Sequence, residues 1–123
     1  MNCAIRNGDA HLKNFGVIYE EVQGEANLAP VYDLVTTAAY LEKDRMALTL
    51  NGTNMWPTGK QLLRFGESRS LGTRQQLLSI FEKIGDAMDQ TLKKMRAYSK
   101  LHPEFRPIGQ RMSQEWTVMR ELR

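Results

Sequence analysis

Apolar positions change their period partway along the chain. In the second half, Leu77, Phe81, Ile84, Met88, Leu92, Met95 and Tyr98 recur at steps of three and four. That spacing predicts one face of an amphipathic helix over about residues 73–98, roughly 39 Å long at 1.5 Å per residue. Gly85 lies inside it and marks a bend or a close contact, and His102-Pro103 ends it. Ile108, Met112, Trp116, Met119 and Leu122 predict a final helix, with Pro107 suited to its first turn. Thr58 is placed to cap a short helix over residues 60–65. These stripes read as core.

The first half has a different texture. Residues 1–14 are polar and turn-rich, and Asn7-Gly8-Asp9 reads as a tight turn. Phe15–Tyr19 is a short apolar run of strand type, and Leu28–Leu34 is a second extended run. Pro30 disfavours a central, fully paired strand there. The two runs predict a hairpin or loose strand pair. Ala47–Leu50 alternates apolar and polar and ends in Asn51-Gly52, which predicts another short strand and turn. The expected fold class is α+β, mainly α-helical, as a single domain over residues 1–123.

Composition narrows the classes. The 123 residues are 41% hydrophobic and 25% charged, an ordinary globular balance. One cysteine, Cys3, permits no intramolecular disulfide and reads as an inert small side chain. No apolar run is long enough for a transmembrane helix, and residues 1–7 contain no signal-peptide h-region. The expectation is a cytoplasmic protein without a membrane partner. Net charge is +3 but uneven: residues 1–59 carry −3 and residues 60–123 carry +6. A basic half invites a nucleic-acid reading. However, Glu82, Asp86 and Asp89 alternate with Lys83, Lys93, Lys94 and Arg96, and no helix-turn-helix or aromatic-basic interleaving occurs. Direct nucleic-acid binding is therefore not expected.

The chemistry concentrates in Asn7-Gly8-Asp9-Ala10-His11-Leu12-Lys13-Asn14-Phe15. An Asp followed five residues later by an Asn is the spacing of protein-kinase catalytic loops, where the Asp takes or orients the substrate hydroxyl proton and the Asn binds a metal ion. Phosphoryl transfer needs a carboxylate facing the attacking hydroxyl and hard oxygen ligands for Mg²⁺. The bare spacing occurs by chance roughly 0.3 times in a chain of this length. The elements around it add weight. A strand run follows the loop, and a second extended run ends in Tyr32-Asp33-Leu34, so Asp33 is able to return beside Asn14 before the helices begin.

The string from Asn7 to Phe15, followed by Leu28-Ala29-Pro30-Val31-Tyr32-Asp33-Leu34-Val35, resembles the C-terminal lobe of HipA-like serine/threonine kinases, the toxin kinases of bacterial toxin–antitoxin modules. The resemblance is strongest over residues 5–36 and continues through Ala47–Gly52 and Phe65–Ser68. It implies a protein-kinase-like C-lobe, ATP- and Mg²⁺-dependent phosphorylation of a protein Ser or Thr, and association with a small DNA-binding antitoxin. Carried over by position, Asp9 would be the catalytic base, with Asn14 and Asp33 as metal ligands. Asp33 stands in Tyr-Asp-Leu where most eukaryotic kinases have Asp-Phe-Gly. His11 would touch the phosphates or stabilise the loop. Lys13 would neutralise the transferred phosphate or stay solvated. His11 and His102 do not form a zinc site, since four-ligand spacing is missing.

A kinase also needs a glycine-rich loop, a strand lysine and that lysine's Glu partner. Only eight residues precede Asp9, and no Gly-x-Gly-x-x-Gly occurs. The nucleotide-covering lobe is thus expected to be absent from this sequence, with little or no kinase activity from the chain alone. Two roles follow. One is a catalytic lobe that works with an N-lobe supplied by another chain. The other is a non-catalytic interaction module for an antitoxin or a full-length kinase. An exposed apolar face where an N-lobe would sit favours a homo-oligomer.

Overall fold

The computed structural model describes residues 1–116. Three helices form the bulk: α1 (Gly59–Ser68), α2 (Arg74–Leu101) and α3 (Arg106–Glu115). Thr58 caps α1 as its sequence predicts, its hydroxyl accepting from the Gln61 N–H at 3.2 Å while the Gln61 carboxamide returns to the Thr58 N–H at 2.8 Å. The helix runs on to Ser68 instead of stopping near residue 65. Thr73 and Gln76 build the same reciprocal cap at the start of α2, with the same two distances. Helix α2 then continues for 28 residues to the His102-Pro103 stop. Gly85 is buried in it, and the helix passes through without interruption. Pro107 sits in the first turn of α3. Met119 and Leu122, predicted for the same helix, lie outside the described residues.

The extended elements are smaller than predicted. An antiparallel pair, β1 (Val17–Ile18) and β2 (Asn27–Leu28), aligns Val17 with Leu28 and Ile18 with Asn27. One more hydrogen bond, from Ala29 N–H to Gly16 O at 2.8 Å, extends the ladder. Pro30 then offers no N–H, and Asp33 adopts a left-handed φ of 55°, so the second run leaves the sheet. The predicted Ala47–Leu50 strand is reduced to a single bridge, Leu50 to Thr53, around an Asn51-Gly52 turn with φ of 51° and 78°. No third strand is there to pair with it among the described residues. The fold is thus mainly helical with one small hairpin, and no described helix is long and apolar enough to cross a membrane.

The core gathers where sequence periodicity and the N-terminal turns meet. Ala4, Ile5, Met88, Leu92 and Trp116 form one buried cluster, with Phe81, Ile84 and Met112 packed against it. Residues 1–14 are therefore more than polar turns, because Ala4 and Ile5 are core residues at 1% and 7% exposure. The Trp116 indole N–H donates to the buried Thr36 hydroxyl at 2.9 Å, closing a contact across 80 residues. Replacing Trp116 with Phe keeps most of the packing but leaves that hydroxyl without its donor. The expected cost is about 1–3 kcal/mol, read by chemical denaturation against the parent chain.

Candidate active site

The site is built on two loops and one buried carboxamide. Asn7 is 3% exposed. Its Nδ2 donates to the Asp33 carbonyl and to Asn2 Oδ1, both at 3.0 Å, and its Oδ1 accepts the Asp9 N–H at 3.1 Å. One side chain thus orients the backbone at both acidic candidates. Behind it, the Thr37 hydroxyl accepts the Gly8 N–H at 2.6 Å and donates to the Asp44 carboxylate. The Trp56 indole N–H in turn donates to the Asp44 carbonyl at 2.9 Å. Gly8 lies so close to this support that an added Cβ would meet the Asp44 carboxylate and sit 2.5 Å from the Arg45 carbonyl oxygen. Only a residue without a side chain lets the loop seat here.

After Asp9 the chain makes a single 3-10 turn, Leu12–Asn14, which brings Asn14 back over the loop. Asn14 Oδ1 accepts the His11 N–H at 3.2 Å, and Asn14 Nδ2 donates to Asp33 Oδ2 at 2.7 Å. The second loop reaches this point because Asp33 holds its left-handed backbone, a conformation Asp tolerates better than most residues. The Tyr32 hydroxyl fastens the same loop to the first by donating to the Lys13 carbonyl at 2.5 Å.

Asn14 and Asp33, 19 residues apart, are therefore in direct contact. Asp9 is exposed on the same loop, and its Oδ1 lies 3.9 Å from His11 Nε2. The Lys13 side chain points to solvent. His102 is remote from this group, stacked on Tyr98 at 4.0 Å and beside Glu104. The contributions of Asn7, Thr37, Tyr32 and Asp44 lie outside the loop's own spacing, and only Asn7 carries a local signal, as an Asx-turn former before Gly-Asp.

Donor chemistry suits a hard cation. Among the described residues no three His, Cys, Asp or Glu side chains cluster as metal ligands. Asn14 meets Asp33 through its amide nitrogen while its Oδ1 accepts the His11 N–H, so Asp33 Oδ1 is the oxygen of this pair that accepts no hydrogen bond among the described residues. Mg²⁺ is held in this way, by one or two protein oxygens with substrate phosphates and waters completing the shell.

Cys3 stands behind the loop, its thiol directed at the Met46 sulfur at 3.7 Å. Burial pushes its pKa up, outweighing the opposing pull of the N-terminal ammonium and Arg6. It therefore stays a thiol through neutral pH, which fits the inert reading.

These features define a hairpin-and-helix domain with a paired carboxamide–carboxylate site at the mouth of an Asn-Gly-Asp loop. The model of the HipA-like C-terminal domain matches residues 1–92, and the chain belongs to that family. It is 46% identical over 50 residues to "Putative kinase Y4dM" and 49% identical over 39 residues to "Putative kinase Y4mE", both of Sinorhizobium fredii (strain NBRC 101917 / NGR234). Those alignments cover 40% and 32% of this chain but 12% and 9% of the two relatives, so the chain spans only a small part of their length. No solved structure matches the chain significantly.

Two measurements check this construction. Asn7→Ala removes three hydrogen bonds and strands the Asp9 N–H. It is expected to cost about 1–3 kcal/mol in chemical denaturation and to speed amide exchange at Asp9. Cys3, with its raised pKa, should react with a disulfide reagent at pH 8 more slowly than the same residue in the urea-unfolded chain. Equal rates would contradict its burial.

Proposed function

We propose that this chain supplies the catalytic-loop and metal-binding side of a HipA-like serine/threonine kinase site, within a protein-kinase-like C-lobe. The observation that carries this reading is the 2.7 Å contact between Asn14 and Asp33 beside an exposed Asp9. Asp9 is the base that takes the proton from a protein Ser or Thr hydroxyl. Asn14 and Asp33 hold Mg²⁺, which when bound neutralises the phosphates of ATP. Lys13 extends from the same turn and offers positive charge to the transferred group. His11, next to Asp9, keeps two roles open, loop support and phosphate contact.

The chain orients these groups through backbone geometry. The Asn7 carboxamide sets the Asp9 loop against the Asp33 turn, so the base and the metal ligands keep a constant separation. That rigidity suits phosphoryl transfer, where positioning and electrostatics supply most of the catalysis. The 123 residues contain no glycine-rich phosphate loop. Full activity therefore needs a polypeptide that covers the nucleotide.

The exposed surface supports a role in binding that polypeptide. Leu12, Val22, Leu28, Val31 and Tyr40, all within residues 12–40, are each at least 71% exposed. A soluble domain does not ordinarily leave so many large apolar side chains in water without a partner. The occupant this reading commits to is an N-lobe. It is the part of a kinase that must meet this face, and the two relatives extend far beyond the matched segments. A DNA-binding antitoxin or a second copy of the chain are the competing occupants.

Transfer of labelled phosphate from ATP to a protein substrate tests the assignment. The chain alone should give background transfer, and a supplied N-lobe polypeptide should raise it. Asp9→Asn should then lower the restored rate by about 10²- to 10⁴-fold, the usual worth of a general base. Asp33→Asn should weaken Mn²⁺ binding, followed by electron paramagnetic resonance, while leaving the unfolding midpoint nearly unchanged. Strong transfer by the chain alone, or full activity of Asp9→Asn, would overturn the reading. Light scattering of the chain by itself separates the occupants: a monomer argues against the second copy.

A further inference from the structure

The basic second half is only partly explained by helix-surface pairing. Acidic residues accompany the cations of α2 as far as Asp89 and then stop. Residues 90–103 contain Lys93, Lys94, Arg96 and Lys100 and no Asp or Glu. Where the acids end, a concave feature begins. Helix α3 folds back on α2 through the Pro103–Phe105 turn, and a cavity of about 420 Å³ opens between them. That volume falls within the range of small-ligand sites, ~300–1,000 Å³.

The lining of the cavity is ordered along its length. Arg96 and Lys100 enter from α2 and Arg106 from the start of α3, so the three cations gather toward the inter-helix turn. Leu92, one helical turn before Arg96 on α2, and Met95, directly before it, give the cavity an apolar floor. No carboxylate lines the cavity, and none of the three cations has an ion pair among the described residues. Arg106 is already oriented, since its Nε donates to the Ser99 carbonyl at 3.2 Å, and its terminal nitrogens have no hydrogen-bond acceptor among the described residues. The two serines in the lining spend their hydroxyl protons on carbonyls of their own helices, so the positive charge of the site comes from the three cations alone. The negative end of the α2 dipole accounts for one cation in the last turn, Lys100. It does not account for Arg96 and Arg106 lining the same cavity.

We infer that this cavity between α2 and α3 binds an oxyanion carried on an apolar body, an organic phosphate or carboxylate. The anionic group lies among Arg96, Lys100 and Arg106, where a planar guanidinium offers paired donors to two oxygens. The apolar body lies over Leu92 and Met95. Apart from Leu92, all of these residues fall beyond the segment matched by the family, and the inference does not rest on the kinase reading.

Amide chemical-shift titration of the full chain tests it, with phenyl phosphate, inorganic phosphate and benzoate as probes at constant ionic strength. Phenyl phosphate or benzoate should give saturable shifts centred on Ser99, Lys100, Arg106 and Gln110, with dissociation constants in the millimolar range or tighter, ~10⁻³ M. The better of the two names the anion. Inorganic phosphate should bind more weakly, for want of the apolar contact. Arg106→Gln and Arg96→Gln should each weaken binding about tenfold, the worth of one charge-assisted hydrogen bond. Lys83→Gln, on the same helix but outside the cavity, should change nothing. A circular-dichroism melt of each variant confirms that the fold is kept. No saturable shift with any probe would overturn the inference. So would equal weakening by Lys83→Gln, which would mean diffuse charge attraction, or phenyl phosphate and benzoate both binding no better than inorganic phosphate.

Discussion

One buried carboxamide holds the candidate site together. Asn7 donates to the backbone at Asp33 and accepts from the backbone at Asp9, so a single side chain relates the two loops. A group this buried must satisfy its hydrogen bonds inside the protein, and the bonds it makes are the ones that fix the site. Its neighbour Gly8 is clasped by Thr37, and Thr37 by Asp44. The loop is thus held by polar contacts at its back while its acidic face stays open to solvent. A site of this kind is braced from behind without being enclosed.

The apolar stretch around the hairpin belongs to the same arrangement. The hairpin has two residues per strand and buries neither face. Isolated ribbons of this size have little stability of their own. It is held at its base by the Asn14–Asp33 contact and the Tyr32–Lys13 bond. By contrast, α1 and α2 carry their own side-chain caps, and α2 and α3 share a core. The molecule divides into a helical layer that shares its core with the N-terminal turns and a hairpin surface with exposed apolar side chains.

How much of this was legible in sequence follows from the range of each interaction. The stripe from Leu77 to Tyr98 and the Thr58 cap depend on residues three or four apart, and the structure has both in the expected helices, although Tyr98 at the end of the stripe is exposed and leaves the core. The Thr73 cap has the same local signature, a Thr three residues before a Gln. The pairing of Asn14 with Asp33 was anticipated from the elements between them, since a hairpin must bring its ends together. The strands are shorter than their apolar runs predict, because a run such as Phe15–Tyr19 carries no sign that the hairpin stays exposed on both faces among the described residues. Asn7, Thr37 and Asp44 were missed as supports, since each acts through a partner 26 or more residues away or through a group that bonds to one. Ala4 and Ile5 were read as part of a polar turn for the same reason: what buries them arrives with α2 and Trp116.

The bond between Trp116 and Thr36 also orders events in time. Thr36 directly precedes Thr37, the residue that clasps Gly8, and its partner lies at the far end of the described chain. Contacts so distant in sequence form late, since a long loop must close before they repay its entropy. During synthesis, at roughly 5–20 residues per second, the Asn-Gly-Asp loop leaves the ribosome many seconds before its last support exists. A nascent chain therefore carries every candidate catalytic residue before the bond at Thr36 can form. The packing behind the candidate site is completed only once residue 116 has emerged.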